Sequence, residues 1–185
     1  MKKNKISKNW VNKQRRDIYV RQSKIDGYRA RSVYKLIEIN EKFKVFKGGI
    51  SVLDIGAAPG SWSQYASKIV KNGKIISLDL KEMENIYNTI QIKGDFTDPN
   101  IRNKIKNLLN KGLDVVMSDM AVNTTGIKNI DSIQTGELCK EAMNFSKEVI
   151  SPNGFFISKI FMGGSFNEIV ALGKKIFKEV KVFKP

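Results

Sequence analysis

The chain has 185 residues, 41% of them hydrophobic, which suffices for one substantial core and leaves too little for two ordinary domains. One cysteine, Cys139, and no histidine exclude disulfide frameworks, Cys/His zinc sites, Ser-His triads and imidazole bases, so acid–base chemistry falls to Lys, Asp, Glu or Tyr. A net charge of +15 points to a polyanionic partner, and no apolar run approaches the roughly 20 residues of a membrane span. The expectation is a monomeric single domain, 1–185, that needs no membrane and no metal, in the cytoplasm, or in the mitochondrial matrix if the source is eukaryotic.

The charge is concentrated at the front. Residues 1–47 hold fifteen Lys and Arg against four acids, Asp17, Asp26, Glu38 and Glu41, and so carry +11 of the total. Trp10, Tyr19, Tyr28 and Tyr34 are interleaved with these cations, and a basic surface with exposed rings holds phosphates and stacks unpaired bases. Arg15, Arg16, Arg29, Arg31 and Lys35 are the candidate RNA contacts; a solvated Lys-rich surface is the bland alternative. Residues 10–25 read as a basic helix ended by Gly27, and Ala30, Val33, Tyr34 and Ile37 begin a second, so 1–47 is expected to form a helical extension packed on the domain.

The pattern then changes. The spacing predicts a strand at 50–55, a glycine-rich loop, a helix through Val70, an Asn-Gly turn and a strand at 75–80. Further strands are expected at 89–93, 113–118, 155–160 and 180–183, with helices near 99–111, 132–150 and 165–177. Such alternation predicts a Rossmann-like α/β fold, its mostly parallel sheet covered on both faces.

The strongest local signal is Val52-Leu-Asp-Ile-Gly-Ala-Ala-Pro-Gly-Ser-Trp62. Gly56 and Gly60 allow a sharp turn and close approach of a ligand, yet the spacing is not the G-x-G-x-x-G that seats a dinucleotide pyrophosphate, which disfavours a nicotinamide oxidoreductase. Asp54 before the loop is typical of methyltransferases. Asp79 closes the second strand, 23 residues after Gly56, where an acid meets ribose hydroxyls in nucleotide folds. Asp95 ends the third strand, as a partner for an adenine amino group or as an ordinary turn residue. Asp119 ends the fourth. Lys159 interrupts the apolar run Phe155-Phe-Ile-Ser-Lys-Ile-Phe161, held in a site or snorkelling at an edge.

Four ordered motifs, Arg29-Ala-Arg-Ser-Val-Tyr-Lys-Leu36, Asp54-Ile-Gly-Ala-Ala-Pro-Gly-Ser-Trp62, Ser118-Asp-Met-Ala121 and Ser158-Lys-Ile-Phe161, resemble the FtsJ/RrmJ family of ribosomal RNA 2′-O-ribose methyltransferases over nearly the whole chain. The resemblance implies S-adenosylmethionine as cofactor, contacted by Gly56, Gly60, Trp62, Asp79, Asp95 and Asp119. It implies large-subunit ribosomal RNA as substrate, with a uridine as target. It also places three members of a catalytic Lys-Asp-Lys-Glu tetrad at Lys35, Asp119 and Lys159. Lys159 is the candidate base, with Lys35 as its cationic neighbour and Asp119 as its orienting group. Ser61 stands where Gly is frequent and Val122 where Pro is frequent, and the tetrad's glutamate has no counterpart before Lys184-Pro185. That last departure keeps a non-catalytic RNA-binding or ribosome-assembly module as the main rival. A transfer RNA or cap 2′-O-methyltransferase is another, and Asp119-Met-Ala-Val122 disfavours an amino-methylating DNA enzyme.

Overall fold

The computed structural model describes residues 17–109, 111–120 and 128–184. Two helices, α1 (Ile18–Ile25) and α2 (Val33–Phe43), precede a unit of β1 (Ser51–Ile55), α3 (Ser61–Ile69) and β2 (Lys74–Asp79). Then come β3 (Thr89–Lys93), α4 (Pro99–Asn107), β4 (Leu113–Ser118), α5 (Lys128–Val149), β5 (Ile150–Ser158) and α6 (Phe166–Ile176). The five strands are all parallel, in the order β3-β2-β1-β4-β5. The order reverses between β1 and β4, the place where open α/β sheets bind ligands beyond their carboxyl ends.

Apolar faces explain the layering. Every residue of β1 is buried, as a strand covered on both faces requires. Leu53, Ile55, Ile76, Leu78, Val116, Ile105 and Phe145 form the core beneath α4 and α5. Val52, Ile75, Val115 and Met117 face the other way, onto Leu36 of α2 and Trp62 and Ala66 of α3. Each large apolar side chain fully buried in these layers contributes about 1.5–3 kcal/mol. Local signals set the ends: Asp17 caps α1 by accepting from the N–H groups of Tyr19 and Val20, and Asp98 caps α4, whose first residue is Pro99.

Three expectations change. The last strand at 180–183 is absent. Its Phe183 packs edge-on against Phe43 of α2 at 5.8 Å, and the segment has no ladder partner among the described residues, so β-compatible residues alone do not make a strand. β5 starts at Ile150, earlier than its apolar run, because Leu113 pairs with Ile150 before the register shifts and Val115 pairs with Phe155. α5 begins at Lys128, a turn earlier than its apolar spacing indicated. Of the first helix, the part before Asp17, with Trp10, Arg15 and Arg16, lies outside the described residues, as does Val122.

Candidate active site

Strand register brings the proposed residues together. Ile55 pairs with Leu78 and with Ser118, Asp79 pairs with Lys93, and Ser118 pairs with Ser158. The residues that follow these pairs, Gly56, Asp95, Asp119 and Lys159, therefore share one edge of the sheet with Asp79. At its far end Lys159 donates its backbone N–H to the Ser118 carbonyl at 3.0 Å, and its Nζ lies 2.5 Å from Asp119 Oδ1 and 3.2 Å from the Asp119 carbonyl oxygen. The contact with Oδ1 is an ion pair without hydrogen-bond alignment. Both side chains keep about a fifth of their surface in solvent, 23% for Lys159 and 19% for Asp119, so the pair is reachable.

The glycine loop turns at the centre of this edge. Gly56 has φ +76° and a Cβ there would lie 2.5 Å from Met120 Cγ, so both backbone conformation and close packing require glycine. The N–H groups of Gly56 and Ala57 both donate to the Leu78 carbonyl. Asp79 braces the loop, accepting from Ala58 N–H at 2.9 Å through one carboxylate oxygen and from Lys81 N–H at 2.8 Å through the other. Each oxygen retains lone-pair capacity for a hydroxyl. Asp95 accepts from the N–H and hydroxyl of Thr97 through Oδ1, and these bonds hold its carboxyl below the usual carboxylate range. It is a turn residue, then, with its second oxygen free for a ligand donor.

Other residues take unexpected parts. Trp62 is 3% exposed, packed in the core with its indole N–H bonded to the Ser32 carbonyl at 2.9 Å, so only its main chain can meet a ligand. Lys35 is exposed in the first turn of α2; its main-chain N–H donates to the Ser32 carbonyl at 3.2 Å, and its ammonium makes no hydrogen bond or ion pair with a described residue. The group beside Lys159 is the carboxylate of Asp119, expected there as its orienting group. Arg31 pairs with Asp17, and Arg29 directs its guanidinium to three backbone carbonyls.

Sequence reasoning noted Asp54 before the loop but missed its burial and protonation. Asp54, fully buried in β1, accepts from Ser63 Oγ at 2.6 Å, which lies 2.6 Å from Ser77 Oγ, while its other oxygen has no partner among the described residues. Burial, reinforced by the nearby charges of Asp119 and Asp79, pushes its carboxyl up to about 7. The available signal was a carboxylate in the middle of a run whose neighbours are all apolar.

Residues 28–185 match the model of one family, described as FtsJ-like methyltransferase. The chain belongs to that family. It is 73% identical over 185 residues to ribosomal RNA large subunit methyltransferase E of Pelagibacter ubique, covering all of this chain and 91% of that protein. The protein of the same name from Rickettsia akari is 48% identical, with 97% of this chain and 82% of that protein covered. A solved structure from Plasmodium falciparum, described as a ribosomal RNA methyltransferase, superposes with a TM-score of 0.79 at 34% identity over 85% of this chain and 91% of that one. Human methyltransferase-like protein 13 shares the fold, with a TM-score of 0.58 at 13% identity over 74% of this chain and 66% of that one.

The family's methyl donor is S-adenosylmethionine. The residues present fit it: a carboxylate with free acceptor capacity for a ribose diol at Asp79, an unused carboxylate oxygen at Asp95, and an acid at Asp119 for an ammonium group. The α3 N-terminus adds main-chain N–H donors beside the loop, favourable for a carboxylate. Among the described residues no group of three potential metal ligands occurs, and no helix is long and apolar enough to cross a membrane.

Proposed function

We propose that this chain methylates the ribose 2′-hydroxyl of a uridine in large-subunit ribosomal RNA, as a cytoplasmic monomer whose single domain, 1–185, carries residues 1–47 as an RNA-facing extension. The observation that carries the reading is the Lys159–Asp119 pair, set at the end of the sheet beside the glycine loop. When bound, S-adenosylmethionine supplies an activated methyl group on a sulfonium. The protein must then align the acceptor oxygen with that methyl and remove its proton. Once Lys159 has released to solvent the proton of its ion pair with Asp119, its Nζ takes the hydroxyl proton, and the carboxylate of Asp119 orients the amine and stabilises the ammonium that results. Lys35 lies in the first turn of α2, just after Ser32, which meets Ser61 of α3 side chain to side chain at 3.1 Å and receives the Trp62 indole bond. It is the candidate to hold the acceptor nucleotide. Asp79, Asp95 and Asp119, with the main chain at Gly56, Gly60 and Trp62, bind the cofactor.

RNA affinity comes from the basic front, with Arg15, Arg16, Arg31 and Lys35 as contact candidates while the Arg29 guanidinium is taken up by backbone carbonyls, and from rings such as Tyr19, which is more than half exposed. The names of the Pelagibacter and Rickettsia relatives support ribosomal RNA of the large subunit.

Alkaline cleavage tests the chemistry, because it uses the 2′-hydroxyl as nucleophile. Ribosomal RNA incubated with the enzyme and S-adenosylmethionine should acquire one alkali-resistant linkage. Lys159→Ala should lose this product by at least about a thousandfold while cofactor affinity stays near normal, since the adenosine contacts are untouched. A methylated product that alkali still cleaves would overturn the ribose assignment, and an active Lys159→Ala enzyme would overturn the base.

A further inference from the structure

Arg29 sits where the basic front meets the glycine loop, and its bonds face inward. Its guanidinium donates to the carbonyl of Pro59 at 3.2 Å through Nη1, to Glu84 at 2.9 Å through the same nitrogen, and to Asn85 at 2.9 Å through Nη2. Pro59 belongs to the loop between β1 and α3, while Glu84 and Asn85 lie in the segment between Asp79 and β3. One planar fork therefore bridges two loops that flank the β1–β2 end of the edge. The side chain is 18% exposed, and its contact with the Glu84 carboxylate, at 3.9 Å and with that group 93% exposed, adds little.

Its neighbours are built around it. Gly60 has φ +103°, and a Cβ at that position would lie 2.9 Å from Arg29 Nη1 and 2.7 Å from Ile86 Cδ1. The glycine is demanded by the bridge as well as by the backbone. The Arg29 main chain is fixed in turn by Gln64 of α3, whose Oε1 accepts the Arg29 N–H at 3.2 Å and whose Nε2 donates to the Gly27 carbonyl at 2.8 Å. An arginine kept for RNA phosphates would present its fork outward.

We propose that Arg29 is a positioning residue of the cofactor pocket, holding the glycine loop against the segment at 84–86, so that its loss weakens cofactor binding before it weakens RNA binding. This rests on the reading of that edge as the cofactor site. Lysine cannot replace the fork, because one ammonium does not reach three carbonyls in two loops.

The test uses the full chain and S-adenosylhomocysteine, the demethylated product, as probe. Calorimetry on Arg29→Met should show affinity reduced at least about tenfold, and Arg29→Lys a smaller loss. RNA affinity and its salt slope should stay within twofold of the parent. In turnover, Arg29→Lys should raise KM for the cofactor and leave kcat at saturation nearly unchanged, and amides of 57–60 and 84–86 should exchange faster with deuterium. Unchanged probe affinity in Arg29→Met, or a loss confined to RNA binding with a shallower salt slope, overturns the proposal. So does failure of both variants to fold, which would make Arg29 a general stability residue. A parent chain that binds no probe would instead overturn the cofactor-site reading itself.

Discussion

The carboxyl edge of the sheet and the basic front are built by different means. At the edge, position follows from ladder register: once Ser118 pairs with Ser158 and Ile55 with both Leu78 and Ser118, the residues that follow are delivered to one place. The front is mounted by the apolar side of α2, with Leu36 buried against the sheet, and its outer part by a few side-chain ties, the Trp62 indole on Ser32, the Ser32–Ser61 hydroxyls and the Gln64 amide on Gly27 and Arg29. Register tolerates little change, whereas single ties break singly. Perturbing the edge should therefore alter folding and cofactor binding together, while perturbing the outer front should alter RNA affinity alone.

The largest effect is expected at Asp54, the buried carboxyl of the edge. Its pKa is pushed up to about 7, above the ordinary unfolded value, so across the window from about pH 4 to 7 the folded chain keeps a proton that the unfolded chain releases. Stability should fall as pH rises through that window, by an amount on the order of a few kcal/mol, and level off above it. Denaturant midpoints for Asp54→Asn should lose most of that pH dependence. A variant with the parent's slope would mean that the carboxyl titrates normally.

A smaller effect distinguishes the two acids of the adenosine end. Asp79 uses both oxygens to brace the glycine loop and Lys81, whereas Asp95 is bonded within its own turn. Losing a charged acceptor costs about 1.5–3 kcal/mol, so Asp79→Ala should weaken S-adenosylhomocysteine binding at least about tenfold. Asp95→Ala should weaken it less. Equal losses in calorimetry would show that the loop brace contributes nothing to affinity.

The smallest effect is expected at the outer front. Arg31 is half exposed and pairs with Asp17 at the start of α1, so Arg31→Glu should reduce RNA affinity and lower the slope of log affinity against log salt by roughly 0.7–0.9. Cofactor affinity should not change. An unchanged slope would put the phosphate contacts elsewhere.

Much was legible beforehand because it is local. The glycines at 56 and 60, the short strand segments of β1, β3 and β4 and the basic front are properties of neighbouring residues, and the structure has elements where their spacing put them. Even the site residues were readable as ends of strands, since β-α alternation implies parallel strands and parallel strands share a carboxyl edge. What the chain order could not decide was which groups meet across that edge. A carboxylate lies against Lys159 because β5 pairs with β4, a choice made by sheet order, and Lys35 was placed beside Lys159 by resemblance alone. The strand expected at 180–183 failed for the same reason, because a strand exists only with a partner. Arg29 and Asp54 show the limit most clearly. Their residue types announce a surface cation and an ionised acid, but an arginine's bonds and a carboxyl's protonation are set by burial and by atoms distant in the chain, and those distances exist only after folding.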